Sequence, residues 1–284
     1  MPNLKHTRKR IASVRSTQQI TKAMKMVSAA KLRRAQEAAE KARPYATRLG
    51  ELLASVAAGA DESSHPFLQA GAQRPAEVVV ITSDRGLCGG YNTNLIKAAE
   101  VFLRSEEGRN ATIVACGRRG HDYFKRHYPD RITLKYVNRP FDLALAREVA
   151  EEVSRRFREG EVGSVHVVSS KFRSAISQSP TLQRLLPVER SEAAAEGAVD
   201  YVYEPEAAAL LGTLLVRYVD TRIFQAFLEG NASEHGARMT AMDSATRNAA
   251  DMIGRLTLQM NRARQATITT ELMEIVSGAE ALKG

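Results

Sequence analysis

The sequence is poor in the residues that build secreted, redox-active or membrane-spanning proteins. It has two cysteines and no tryptophan among 284 residues, and aromatic residues make up 6% of the chain. Cys88 and Cys116 are too few for a disulfide framework and form no CxxC pair, which is typical of a protein kept in a reducing compartment. The longest apolar stretch, residues 207–216, is interrupted by Gly212 and Thr213 and is far shorter than the ~20 residues a bilayer requires. The basic start of the chain lacks the apolar run of a secretory signal. We therefore expect neither a membrane span nor secretion.

Proline is absent from residues 3–43, which also lack glycine, and again from residues 206–284, so both stretches are predicted to be long helices. Pro44 is expected to kink the first helix rather than end it, since an Ala- and Leu-rich stretch continues to Val56. Small or apolar residues alternate there at spacings of three and four, with polar interruptions, at Leu4, Thr7, Ile11, Val14, Gln18, Thr21, Lys25, Ser28, Leu32, Ala35, Ala39 and Ala42. A second stripe holds Ile20, Met24 and Val27.

The C-terminal stretch carries a heptad pattern at Met239, Met242, Thr246, Ala249, Ile253, Leu256, Met260, Ala263, Thr267 and Thr270. The apolar stripe of neither long helix is wide enough to stabilise that helix alone in water. The two helices are therefore predicted to pair in antiparallel fashion and cover each other's stripe.

Between these helices, residues 77–205 alternate strand and helix patterns. Apolar runs predict strands at residues 77–82, 112–116, 132–137 and 165–170. Helices are predicted at 93–104, 119–127 and 143–158. This alternation indicates an α/β domain with a mostly parallel sheet.

Positive charge is concentrated at the N-terminus. Residues 1–48 hold thirteen Lys and Arg against two Glu, a balance of +11, whereas the whole chain carries +9. An acidic partner surface is therefore expected to meet this segment. Nucleic-acid binding is disfavoured because the segment has no interleaved aromatics and no recognised motif, and because the last 54 residues hold six basic and six acidic residues.

The motifs of common catalytic and metal sites are missing. There is no GxSxG or HExxH, and the spacing of Cys116, His121 and His127 fits no common zinc site. The Gly-rich stretch 82–92, TSDRGLCGGYN, follows a strand and precedes a helix, where phosphates often bind. It matches neither phosphate-loop motif, so a structural turn is the preferred interpretation and a nucleotide-binding loop is the alternative. No catalytic residue, metal ligand or cofactor-binding residue is predicted.

Three stretches carry a resemblance to a known family. They are IASVRSTQQITKAMKMVSAAKLRRAQE at 11–37, TSDRGLCGGYNTNL at 82–95, and ASEHGARMTAMDSATRNA at 232–249 followed by NRARQATITTELMEIVSGAEAL at 261–282. With them the chain resembles the γ subunits of F-type ATP synthases, over essentially its whole length.

The resemblance implies a fold in which helices at 1–58 and 206–284 form a long antiparallel coiled coil, with a Rossmann-like α/β domain inserted at 77–205. It also implies a non-catalytic rotor shaft without cofactors, turning inside a ring of three α and three β subunits. The α/β domain would lie beside the ε subunit and the membrane c-ring. Such a shaft couples proton flow to ATP synthesis or hydrolysis, and it reaches the cytoplasmic face of the bacterial inner membrane only through the complex.

The resemblance assigns roles to ten residues. Those expected to contact the acidic loop of the β subunits are Arg8, Lys9, Arg10, Lys22, Met24 and Lys25. Arg264 and Gln265 are expected to hydrogen-bond to a β-subunit loop, and Tyr203 and Glu204 to lie near the membrane ring. Residues 4–20 and 268–282 are expected to form a smooth apolar tip, and the Gly-rich loop is implied to be a turn.

Overall fold

The computed structural model describes residues 4–58, 65–69, 74–188 and 207–281. Two long helices bracket the described chain, α1 at Leu4–Ala58 and α5 at Ala207–Ala281. As predicted, Pro44 does not end α1. None of the described helices has a stretch long and apolar enough to cross a membrane.

The contacts divide the chain into two compact units, and both helices contribute to each. The helix-pair unit consists of Met1–Val27 and Met239–Gly284, and the sheet unit of Ser28–Arg238. The predicted segment boundaries at 58, 77 and 205 describe a different division and stay a prediction.

In the helix-pair unit, α1 and α5 run antiparallel. Lys25 Nζ lies 2.5 Å from Asp243 Oδ1, and the Thr246 hydroxyl donates to Thr21 Oγ1 at 2.8 Å, so residue numbers rise on one helix as they fall on the other. Among the described residues of this unit, the buried side chains all belong to the stripe of α1 that begins at Leu4 and to the heptad stripe of α5: Thr7, Ile11, Thr21, Met242, Ala249 and Leu256. The predicted fold class, a long antiparallel helix pair with an inserted α/β domain, is confirmed.

The second stripe of α1 is not covered by α5. Ile20 and Val27 are each 57% exposed, and Met24 is half-buried. The contact between the two helices, here called the seam, therefore involves only one narrow face of each helix. Apolar side chains of the second stripe remain exposed.

In the ranges that the structure describes, the sheet unit contains five strands and three shorter α-helices. The strands are β1 Ala76–Ile81, β2 Thr112–Cys116, β3 Ile132–Tyr136, β4 Ser164–Ser174 and β5 Ser177–Leu186. The helices are α2 Tyr91–Arg104, α3 Arg118–His127 and α4 Leu143–Arg158. The strand order is β3-β2-β1-β4-β5, with β1 to β4 parallel and β5 antiparallel to β4.

The four predicted strands and three predicted helices are present, and β5 is an addition. Its sequence, SQSPTLQRLL, has no apolar run and contains Pro180, which lacks the N–H needed for a central strand. At the edge of the sheet this donor is dispensable, so a strand forms where the pattern indicated none.

Both faces of the sheet are covered, because successive side chains of β1 alternate between two cores. Val79 and Ile81 join a core with α4, α1 and α5, whereas Val78 and Val80 join a core with α2 and α3. Helix α5 contributes to the first of these cores a row of fully buried side chains spaced four residues apart, at Leu211, Leu215, Val219, Ile223 and Phe227.

One buried carboxylate of the sheet is paired with an arginine of α4. The Glu77 carboxylate is fully buried in β1, lies 3.0 Å from Arg156 Nε and accepts hydroxyl hydrogen bonds from Thr112 and Thr133. Burial raises the pKa of Glu77, and the Arg156 charge opposes that rise.

Because the seam is narrow, replacing either of two nearby leucines on α5 by Ala should have unequal effects on the stability of the helix pair. Leu256 is 6% exposed and Leu258 is 61% exposed. Leu256→Ala should weaken the helix pair by about 2 kcal/mol, because it deletes buried methyl groups that a thin seam cannot replace. Hydrogen exchange of the α5 amides near residue 256 should then be roughly 30-fold faster. Leu258→Ala is the matched control, and equal effects of the two substitutions would contradict the observed pairing.

Candidate functional site

The Gly-rich loop lies where a doubly wound sheet usually binds its ligand. It leaves the C-terminal end of β1, the central strand, between β2 on one side and β4 on the other. The strand order changes direction at this point, and the resulting crevice is the usual place for a nucleotide. A nucleotide could bind here only if side chains of the protein itself leave the crevice free.

The loop is held as a turn by its own side chains. Asn92 Oδ1 accepts from the Ser83 N–H at 2.9 Å, and the Asn92 amide donates to Cys88 Sγ at 3.1 Å. The Ser83 hydroxyl donates to Arg85 O at 2.6 Å. Leu87 and Gly89 both adopt positive φ, at 63° and 57°, which reverses the chain before α2.

A side chain of helix α5 reaches this loop. The Arg238 guanidinium donates to Gly86 O at 3.1 Å and to Arg85 O at 3.4 Å. A phosphate-binding loop presents N–H groups to its ligand, whereas here two carbonyls accept from a cation. The orientation of these carbonyls does not favour the nucleotide alternative and supports the structural turn.

Further contacts bind α5 to the same end of the sheet. The Tyr91 hydroxyl donates to Gly230 O at 3.1 Å, and the Ser233 hydroxyl donates to Ser170 O at 3.4 Å. At Gly236, a Cβ would lie 3.2 Å from Ala175 O, so the missing side chain permits this close approach.

The N-terminus of α3, a second place where an anion could bind, is capped from within the chain. Asp84 Oδ1 accepts from the Arg118 N–H at 2.8 Å, at the start of α3, and from the Asn138 N–H at 3.0 Å. The Asp84 carboxylate therefore already supplies a negative charge at the start of α3. Among the described residues no group of three or more His, Cys, Asp or Glu is placed to hold a metal ion.

Charges around Arg238 are buried together. Arg238 Nη1 lies 2.7 Å from Glu234 Oε1, with both side chains mostly buried, and 3.4 Å from His235 Nδ1. Burial raises the pKa of Glu234, and Arg238 opposes that rise. Burial lowers the pKa of His235 to about 4, with further lowering from the charges of Arg238 and Lys31. Arg238 is thus the cation that ties α5 to the loop, although its sequence motif gave no indication of this partner.

Replacing Arg238 should destabilise the sheet unit. Arg238→Met leaves the Glu234 carboxylate and two loop carbonyls without their donor, at a cost of about 3 kcal/mol, and thermal unfolding should shift down accordingly. Arg247→Met on the same helix is the matched control, because Arg247 pairs with Asp243 while its side chain is 71% exposed. If both variants had the same melting temperature as the unchanged protein, the assigned role of Arg238 would be wrong.

Acid should also loosen this contact, through His235. Its pKa falls from 6.5 to about 4 in the folded chain, so the unfolded chain binds the proton more readily. The stability that the neutral ring contributes is complete above about pH 6.5 and is lost as the pH falls toward about 4. We expect His235→Gln to flatten the slope of melting temperature against pH in that window. A slope unchanged by His235→Gln would assign the acid sensitivity to other groups.

The second candidate region is the basic part of the helix pair. Arg8, Lys9, Arg10 and Lys22 are exposed on α1, and Arg264 and Gln265 are exposed on α5. The antiparallel register sets Arg264 level with the first turn of α1. The residues predicted to contact β subunits therefore form two groups, one at the start of α1 and another around Met24, ~22 Å farther along the helix.

Lys25 has a partner that sequence reasoning missed. Its ammonium bonds Asp243, which also lies 3.0 Å from Arg247. Because the acid is more than two hundred residues away in sequence, only the helix register brings the pair together. Tyr203 and Glu204 lie outside the described residues.

Comparisons with known proteins agree with this architecture. The model of a family described as ATP synthase matches residues 3–282. The chain is 51% identical over 287 residues to the ATP synthase gamma chain of Geotalea daltonii and 52% identical over 289 residues to that of Geobacter metallireducens. In both cases all of each chain is covered.

Two solved structures share the fold. A chain from the central stalk and c-ring of the Tetrahymena thermophila mitochondrial ATP synthase matches with a TM-score of 0.61 and 26% identity. The match covers 80% of this chain and 99% of that one. A chain of the Euglena gracilis mitochondrial ATP synthase matches with a TM-score of 0.70 and 21% identity, covering 98% and 94% respectively.

Proposed function

The chain belongs to the ATP synthase gamma-chain family, and from this premise we propose that it is the rotating shaft that couples proton flow to ATP synthesis or hydrolysis. In this proposal it has no active site of its own. It turns inside a ring of three α and three β subunits, while its α/β domain, with Tyr203 and Glu204, meets ε and the c-ring. It is held at the cytoplasmic face of the bacterial inner membrane by the complex. The ATP synthase gamma chains of Geotalea daltonii and Geobacter metallireducens, which it resembles over its whole length, support this assignment.

The observation that carries the proposal is the exposed apolar end of α5. Five large apolar side chains there are between 48% and 67% exposed: Ile268, Leu272, Met273, Ile275 and Val276. The register sets Leu4 of α1 level with about residue 264, so the described part of α1 ends before them. A contiguous apolar surface of this kind needs a covering partner, and an apolar sleeve formed by the ring supplies one.

The basic face of α1 supplies the second kind of contact. Arg8, Lys9, Arg10 and Lys22 are exposed and can pair with acidic loops of β subunits at several rotational positions, because charge pairs on a surface form and break easily. Met24 and Lys25 complete this proposed contact region. Since Lys25 already pairs with Asp243, its proposed role is to hold the register of α1 beside Met24.

The proposed function is tested by assembly. The chain, mixed with α and β subunits from the same source, should elute with them as one complex, and Mg-ATP hydrolysis should follow that peak. Elution of the chain alone, together with nucleotide binding by the isolated chain, would overturn the proposal.

The same complex tests Arg264 and Gln265. Arg264→Ala with Gln265→Ala should leave assembly largely intact, because both side chains are exposed on α5, while ATP-driven proton pumping by the complete enzyme falls. Arg109→Ala, an exposed residue of the sheet unit, is the control. Unchanged pumping in the double variant would remove the proposed role of the pair.

A further inference from the structure

A second concentration of positive charge lies where α3 packs beside β3 in the sheet unit. Residues 118–139, here called the α3–β3 edge, hold seven Lys and Arg against two Asp, a balance of +5. β3 ends the strand order on its side of the sheet, and α3 packs against it. The basic residues of α1 have a proposed partner, whereas this edge has none.

Four cations of the α3–β3 edge are exposed and lack an acidic partner. Arg118 pairs with Asp122 at 3.5 Å, and Arg139 pairs with Glu148 at 2.8 Å. The exposed cations that form no ion pair within the residues that the structure describes are Arg119, Lys125, Arg126 and Lys135. Four unneutralised charges at one edge favour an anionic partner.

The helix on the opposite face of the sheet does not share this charge. Helix α4 and the turn that follows it, residues 143–161, hold four Arg and five Glu. Two of these arginines are already paired, since Arg155 lies 2.7 Å from Glu152 Oε1 and Arg156 lies 3.0 Å from Glu77 Oε1. The excess of positive charge is therefore a property of the α3–β3 edge and not of the whole sheet unit.

The aromatic rings of the α3–β3 edge are engaged within the chain. The hydroxyls of Tyr123 and Tyr128 both donate to Glu100 Oε1, at 3.0 Å and 3.3 Å, while Phe124 and Tyr136 are buried. Surfaces that bind single-stranded nucleic acid combine cations with rings on which bases can stack. This edge has the cations without free rings, which disfavours a nucleic acid as its partner.

The α3–β3 edge also lacks an apolar centre. All of residues 118–139 lie within the described part of the chain, and none of their large apolar side chains is exposed. A specific protein interface usually has an apolar core inside its polar rim. An anionic bilayer surface needs no such core, because a cluster of Lys and Arg adsorbs to its headgroups through charge.

We propose that the α3–β3 edge adsorbs to the anionic phospholipid headgroups of the membrane through Arg119, Lys125, Arg126 and Lys135. The inference rests on the proposed function, which brings the α/β domain to the c-ring and thereby to the bilayer around it. Headgroups have no fixed position, so contacts of this kind exchange freely and do not hold a turning shaft at one angle.

The test uses the complex of this chain with its α and β subunits, because in the proposed function the ring covers the basic part of α1. The complex should bind vesicles that contain phosphatidylglycerol in phosphatidylcholine, and not vesicles of phosphatidylcholine alone. Lys125→Glu with Arg126→Glu should lower binding to the anionic vesicles roughly tenfold or more at low salt, and the difference should shrink at high salt. Lys125→Gln with Arg126→Gln should cause a smaller loss.

The matched control makes the same charge change on α4. Arg147→Glu with Arg158→Glu alters two exposed residues of that helix and should leave vesicle binding unchanged. Lys135→Glu, on β3, tests the edge independently of α3 and should also lower binding to the anionic vesicles.

Each outcome decides a different statement. If the unchanged chain fails to assemble with α and β, the proposed function falls and this inference falls with it. If the complex assembles but Lys125→Glu with Arg126→Glu binds anionic vesicles as well as the α4 control does, the inference alone is wrong. It is also overturned if those two substitutions abolish binding to single-stranded RNA and leave vesicle binding unchanged, since the edge would then be a nucleic-acid surface.

Discussion

The pairing of α1 and α5 along one narrow face is the constraint on which the other features of the helix-pair unit depend. Its buried residues are small or hydroxyl-bearing as often as large, so the apolar area gained per turn is modest. The register is fixed instead by polar contacts, Lys25 with Asp243 and Thr21 with Thr246. A one-residue slip would break both contacts and rotate the stripes apart.

A narrow seam has a consequence for the outer surface. Each helix keeps most of its circumference free, and that free surface carries two kinds of side chain, cations near the start of α1 and apolar residues toward the end of α5. A chain that had to be stable alone would bury more of this apolar surface. The exposed basic and apolar surface is therefore the part of the helix pair best suited to contact other proteins.

Patterns of local sequence predicted much of this structure. The stripes of α1 and α5 and the runs of β1 to β4 could be recognised because burial on one face repeats at a fixed spacing. β5 could not, since an edge strand next to a single partner needs no apolar run and tolerates Pro180. The ion pairs Glu77–Arg156 and Lys25–Asp243 were also out of reach, because each joins residues far apart in sequence whose meeting depends on the fold. Of the candidate sites, the turn interpretation of the Gly-rich loop was accessible, but its partner Arg238 was not.

The Gly-rich loop shows how a ligand-binding geometry can serve another purpose. A parallel sheet leaves a crevice at the ends of its strands whether or not a ligand is bound, and the polar backbone there must be satisfied. Here Arg238 satisfies loop carbonyls, Asp84 satisfies the amide at the start of α3, and Gly236 permits close packing of α5. Because side chains of the chain itself meet these requirements, the crevice becomes an attachment point for α5. A bound nucleotide would have to displace Arg238 from carbonyls and would face the Asp84 carboxylate. The Arg238 contact that attaches α5 thus also opposes the nucleotide, so attachment of α5 and binding of a nucleotide are alternatives at this edge of the sheet.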